Sequence, residues 1–171
     1  MVDAIHNLSA RELSLAYRTR QLSPVEATRA ALARLEVWES RINAMYIKDP
    51  EGALVQAAAS EARWRRGAAL SPLDGVPITI KDNIATAGAP TPLGTAAGDF
   101  APATADAPPA ARVKEAGCVV LGKTTMPDYG MLSSGVSSLH GITRNPWNPE
   151  RNSAGSSSGA GAGIEIGRAH V

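Results

Sequence analysis

Three stretches of this sequence carry residue types and spacings that could do chemistry. The first, Gly117-Cys118-Val119-Val120-Leu121-Gly122-Lys123-Thr124, satisfies the phosphate-loop pattern G-x-x-x-x-G-K-T letter for letter. Such a loop turns its backbone amides toward phosphate between a preceding strand and a following helix. Here the residues between the glycines are strand-like, a helix pattern precedes Gly117, and no strand ends at Ala116, so a buried strand is expected in place of a nucleotide site. The second is Lys81-Asp82-Asn83, delivered at the end of the β-branched, apolar run Gly75-Val76-Pro77-Ile78-Thr79-Ile80. A lysine serves as a base only when neutral. Its unperturbed pKa is about 10.4, and burial beside an apolar strand lowers it by disfavouring the charged form. The third is the Gly/Ser-rich run from Ser133 to Gly163, which contains Ser156-Ser157. A serine hydroxyl attacks a carbonyl when a base removes its proton. Taken singly, Lys81 also reads as a solvated lysine at a strand end, Ser156 as a turn serine, and the whole run as a linker.

Other reactive types offer less. Cys118 is the single cysteine, so it has no partner for an internal disulfide, and its strand context reads as a small core residue. His6, His140 and His170 have neither metal-ligand spacing nor a carboxylate-paired context, and no metal is expected. With 17 Lys and Arg against 16 Asp and Glu, the formal charge of +1 provides no field to draw nucleic acid or an anionic membrane. The N-terminus lacks a basic segment followed by an apolar run, and no eighteen consecutive residues are apolar. A soluble, cytoplasmic protein is expected.

The elements that must position these residues follow from capping and periodicity. Ser9-Ala10-Arg11-Glu12 is a capping box with Leu8 and Leu13 as a hydrophobic staple, and predicts a short first helix. Ser23-Pro24-Val25-Glu26 repeats that grammar ahead of Leu32, Leu35, Trp38 and Ile42, which predicts a longer amphipathic helix. Asp49-Pro50 opens an alanine-rich helix that ends in Arg63-Trp64-Arg65-Arg66-Gly67, whose basic residues read as a solvated helix end. Prolines at 90, 92, 102, 108 and 109 make residues 85–109 an irregular connection. Asp106 to Ala116 reads as a helix capped by Asp106, and Cys118 to Leu121 as a buried strand. The pattern is α/β: a helical layer over 1–70, then the start of an α/β core over 71–163.

The stretch Asn152-Ser153-Ala154-Gly155-Ser156-Ser157-Ser158-Gly159-Ala160-Gly161-Ala162-Gly163 resembles the Gly-Gly-Ser-Ser-Gly-Gly core of the amidase-signature family. Ala154 and Ser158 replace its first and third glycines. Three further blocks match that family in order: Gly75 to Asn83, Gly122-Lys123-Thr124-Thr125-Met126-Pro127, and Asn145-Pro146-Trp147-Asn148-Pro149. The resemblance reaches Gly163 and implies the N-terminal part of the amidase-signature fold, a mixed β-sheet core covered by helices, here incomplete. It assigns Lys81 as the catalytic lysine and Ser156 as the serine that follows a cis peptide bond, separated by 156 − 81 = 75 residues. Ser156 would relay the proton between Lys81 and a nucleophilic serine about two dozen residues further on, which is absent from the 171 residues. Gly155 would relieve crowding before the relay. Ser157 would hold it or act as a plain turn serine, and Asp82 and Asn83 would anchor the strand end. Met131, Leu132 and Ser133 would line the acyl-side pocket, although an ordinary core segment explains the apolar pair as well.

The resemblance further implies cleavage of a linear carbon–nitrogen amide bond through an acyl-enzyme. It implies a small-molecule amide as partner, no cofactor, no direct contact with nucleic acid or membrane, and a homodimer of the full-length parent. Two alternatives stand beside it: the A subunit of a glutamine-dependent aminoacyl-tRNA amidotransferase, and a fragment without turnover. Finally, Glu165-Ile166-Gly167-Arg168-Ala169-His170-Val171 departs from the small-residue helix the family would continue with. It back-translates into a common sequencing-adapter sequence, so residues 164–171 are expected to be a non-native tail.

Overall fold

The computed structural model describes residues 5–167. Two helices open the chain, α1 over Ala10–Thr19 and α2 over Pro24–Ile42. Each starts on a complete capping box: the Ser9 hydroxyl accepts from the Glu12 N–H, the Ser23 hydroxyl from that of Glu26, and each glutamate carboxylate accepts from its serine's backbone N–H. The left-handed Asn43 closes α2, and strand β1 follows over Met45–Lys48. Helix α3, Pro50–Arg65, is capped by Asp49, whose side chain accepts from Gly52 N. Its buried positions are the small residues Ala53, Ala57 and Ser60. That small face lets α3 come close enough to pack Ala53 and Ala57 with Ala31 of α2 and with Val119 and Leu121.

Val119 and Leu121 belong to β3, Val119–Thr124, all six of whose residues are buried. It is the centre of a three-stranded sheet of order β1-β3-β2, in which β2 is Pro77–Lys81. The β2–β3 pair is parallel and is joined by α4, Pro108–Glu115, while β1 pairs antiparallel on the other edge. Two-residue strands β4, Val136–Ser137, and β5, Gly141–Ile142, form a separate ribbon, and α5 runs over Ser158–Glu165. The phosphate-loop look-alike is therefore the central strand. Gly122 sits at φ +145°, and a Cβ there would collide with the Ile47 carbonyl oxygen, so close strand approach explains the glycine.

The structure departs from the sequence expectations at β1, at the start of α4, at Arg63 and at His140. Met45–Lys48 is a strand inside the span read as a helical layer; four residues are too few for periodicity to reveal it. Helix α4 starts on Ala107 without a side-chain cap; Asp106 instead accepts from Ala87 N at 2.8 Å and pairs with Lys114 Nζ at 2.7 Å. Of the expected tail, residues 164 and 165 end α5, and Ile166 is buried with Ile42, Ala44 and Ala162, its carbonyl accepting from Arg34 Nε at 3.1 Å, a packing that either origin of the tail allows. The remaining tail residues, His170 among them, lie outside the described residues. Finally, Arg63 is not part of a solvated helix end.

Arg63 Nη2 lies 2.6 Å from Asp74 Oδ1, and Arg63 Nε donates to Oδ2 at 2.8 Å, a two-pronged ion pair whose Asp74 side chain is 0% exposed. Burial pushes the Asp74 carboxyl pKa up, but the hydrogen bonds from Arg63 and the Leu70 N–H outweigh it and hold the group below the ordinary aspartate value. Removing one partner of a buried pair leaves an uncompensated charge. Arg63→Ala is thus expected to lower the unfolding free energy by about 3 kcal/mol in urea titrations. Because the folded-state pKa is depressed, this stabilisation is present above the unfolded-state aspartate pKa and fades as pH falls through the folded one. The gap between Arg63→Ala and the parent sequence should shrink accordingly in acid.

Candidate active site

Strand β2 runs parallel to β3 and brings Lys81 opposite Thr124 at the end of the sheet. There Lys81 Nζ donates to Ser156 Oγ at 2.8 Å and to Ser157 Oγ at 3.1 Å. The lysine is half-buried, and that burial lowers its pKa from the ordinary value, with the neighbouring Asp82 carboxylate partly opposing the shift. A lysine so placed gives up its proton more readily than one in water and has two hydroxyls within reach.

The Gly/Ser run that supplies those hydroxyls is an ordered loop, stitched to the neighbouring chain. Ser134 bridges Ala154, Arg144 bridges Asn152, Ser153 N donates to Thr143 O at 2.8 Å, and Gly159 N donates to Thr125 O at 3.1 Å. The Gly155–Ser156 peptide bond is cis. A Cβ on Gly155 would lie 2.6 Å from the Leu132 carbonyl oxygen and 2.7 Å from that of Ser134, so the loop can approach its support only with glycine at this position. Ser157 is the residue before α5 but makes no cap bond; its hydroxyl is engaged by Lys81. An open cavity of about 560 Å³ adjoins these residues, with Ser156, Ser157, Trp147 and Glu165 in its wall.

Asp82 lies behind the lysine and is fully buried, accepting from Gly94 N at 2.6 Å. The structure corrects the reading of the histidines here. His140 Nε2 is 3.0 Å from Asp82 Oδ2, with the two side chains 4% and 0% exposed. No motif spacing could have revealed a pair made across 58 residues by a turn. Asn83 is exposed at the turn after β2. Lys123, the lysine of the phosphate-loop pattern, is buried and donates to Pro90 O at 2.9 Å and Thr91 Oγ1 at 3.2 Å. Burial lowers its pKa as well, opposed by Asp82.

Leu132 comes beside the loop through its carbonyl oxygen, and Met131, Leu132 and Ser133 are exposed, Met131 at 81% and Leu132 at 49%. The cavity at Ser156 is walled by the 145–147 and 153–165 segments. Among the described residues, no three His, Cys, Asp or Glu side chains gather as a metal-ligand set, and no helix is long and apolar enough to cross a membrane.

The family model described as Amidase matches residues 26–170. The chain belongs to the amidase family. It is 42% identical over 161 residues to the A subunit of glutamyl-tRNA(Gln) amidotransferase from Geobacter sulfurreducens, covering 94% of this chain and 33% of that protein. Against the protein of the same name from Chloroflexus aggregans, identity is 41% over 166 residues, with 96% and 34% covered. Among solved structures, a bacterial aryl acylamidase of the amidase-signature enzymes superposes with a TM-score of 0.85 at 32% identity, covering 94% of this chain and 34% of that one. Fatty acid amide hydrolase gives 0.90 at 27% identity, with 97% and 29% covered. The chain thus spans about a third of the length of the curated relatives it matches.

For this amidase-family chain, the burial of Lys81 has a measurable consequence. After reductive ¹³C-methylation, the Lys81 resonance, assigned by its loss in Lys81→Arg, is expected to titrate below the ordinary lysine value of 10.5. A midpoint at or above that value would contradict the arrangement.

Proposed function

We propose that the protein is the front part of an amide hydrolase that cleaves a linear carbon–nitrogen bond through a serine acyl-enzyme. The reading is carried by the 2.8 Å contact between the base-shifted Lys81 and Ser156 Oγ. In it, neutral Lys81 takes the Ser156 proton while Ser156 takes that of a nucleophilic serine supplied by sequence beyond these 171 residues. The nucleophile's oxygen bonds to the amide carbon, and the proton held on Lys81 returns through Ser156 to the nitrogen as the C–N bond breaks. Water then attacks the acyl ester by the same relay, releasing the acid. Ser157, the second hydroxyl on Lys81, keeps the amine aimed at the relay. No cofactor enters, and the partner is a small amide.

General acid–base groups contribute typically about 10²- to 10⁴-fold, so Lys81→Met or Ser156→Ala in the full-length parent is expected to lower kcat by that order with KM little changed. Parental kcat in Lys81→Met would overturn the assignment. The 171-residue chain alone is expected to turn nothing over; any Lys81-dependent hydrolysis by it would sink that part.

A second reading, an amidotransferase component that releases ammonia from glutamine for a partner, is favoured by one observation. Identity is 41–42% to relatives named as the A subunit of such an enzyme but 27–32% to the superposed amidases. Glutamine-dependent ammonia release by the parent, stimulated by partner proteins, would choose this reading over the first.

A further inference from the structure

Beside the lysine and its serines lies a closed ring of hydrogen bonds that the proposed chemistry does not itself use. Gly94 N donates to Asp82 Oδ2 at 2.6 Å, and Gly94 O accepts from Ser137 Oγ at 2.5 Å. Ser137 Oγ accepts from His140 N at 2.8 Å, and His140 Nε2 returns to Asp82 Oδ2 at 3.0 Å. The ring ties together the residue after Lys81, the turn around Gly94, strand β4 and the turn that leads to β5. His140 is held from outside as well: its carbonyl accepts from Asn43 Nδ2 at 2.5 Å, and its ring lies 4.8 Å from that of Tyr46.

The ring links the two halves of the candidate site. On one side, Asp82 is covalently next to Lys81. On the other, Ser137 lies three residues after Ser134, which bridges Ala154 and whose carbonyl abuts Gly155, the residue before Ser156. Lysine and relay serine come from segments 75 residues apart, and the ring together with the chain from Ser137 back to Ser134 connects them. The charged groups around it are Asp82, Lys81, Lys123 and Asp128, the last bound to Ser138 beside the ring, with the Tyr46 hydroxyl nearby.

We infer that His140 is a positioning residue for the Lys81–Ser156 centre, acting through Asp82 on one side and Ser137 on the other. The inference rests on the reading of Lys81 as the base, but it is tested without any hydrolysis. The pH dependence of Lys81 acetylation by acetic anhydride, read by peptide mass spectrometry, reports the amine directly. In His140→Phe, which keeps an aromatic ring against Tyr46 but loses the bond to Asp82, Lys81 gains water. Its labelling midpoint is expected to rise toward the ordinary lysine value by about half a pH unit or more. Ser137→Ala, which removes two sides of the ring, is expected to move it the same way. Because both changes open one ring, the double variant is expected to shift it no further than the larger single change. His140→Gln, whose amide can still donate to Asp82, is expected to restore the parental midpoint. Unchanged midpoints in folded His140→Phe and Ser137→Ala, or shifts that add, would overturn the inference. Should His140→Phe fail to fold, Ser137→Ala decides alone. An inactive parent in which these shifts occur would count against the hydrolase, not against the ring.

Discussion

A lysine can work as a base near neutrality only if it is kept partly from water, yet it is useful only if a reacting group can reach it. The Lys81 contact with Ser156 and Ser157 meets both demands, and much of the fold follows from them. The apolar strand Pro77–Lys81 withdraws the lysine stem from solvent, and the fully buried β3 beside it fixes where that strand ends. Asp82 works against the withdrawal, since an anion beside an ammonium stabilises it. The buried carboxylate is tied up by Gly94 N and His140, and it also serves Lys123 electrostatically. The arrangement balances two opposing effects on one amine: dehydration to free its proton, and a nearby anion to hold it.

What could be read from the sequence was local. The two capping boxes, the Asp49 cap and the strand before Lys81 are each written within a few consecutive residues, and each appears where its pattern stands. Lys81 and Ser156 were legible only through ordered family blocks, since neither residue type is informative alone. What stayed hidden was set by tertiary approach. The four-residue β1 has only Met45 fully buried and too little length for a period to emerge. The Arg63–Asp74 and His140–Asp82 pairs join residues 11 and 58 apart whose partners no spacing rule names.

The same contrast explains the phosphate-loop look-alike. Gly122 and Lys123 match a motif letter for letter, but each is there for a packing reason: the glycine because the Ile47 carbonyl crosses it, the lysine because Pro90 and Thr91 offer it oxygen in the interior. A pattern of letters identifies a phosphate site only when strand, turn and helix follow it in that order.

The parallel crossover from β2 through α4 to β3 has a consequence for how such a protein can diversify. Parallel strands finish at the same end of the sheet, so the segments leaving Lys81 and Thr124 emerge side by side. Those two excursions also carry Gly94, Ser137 and His140, so length and composition can drift only at positions outside the ring that steadies the amine. The wall of the cavity and the surroundings of the lysine thus share the excursion after Thr124, and a change that reshapes one is free of the other only where it spares the ring.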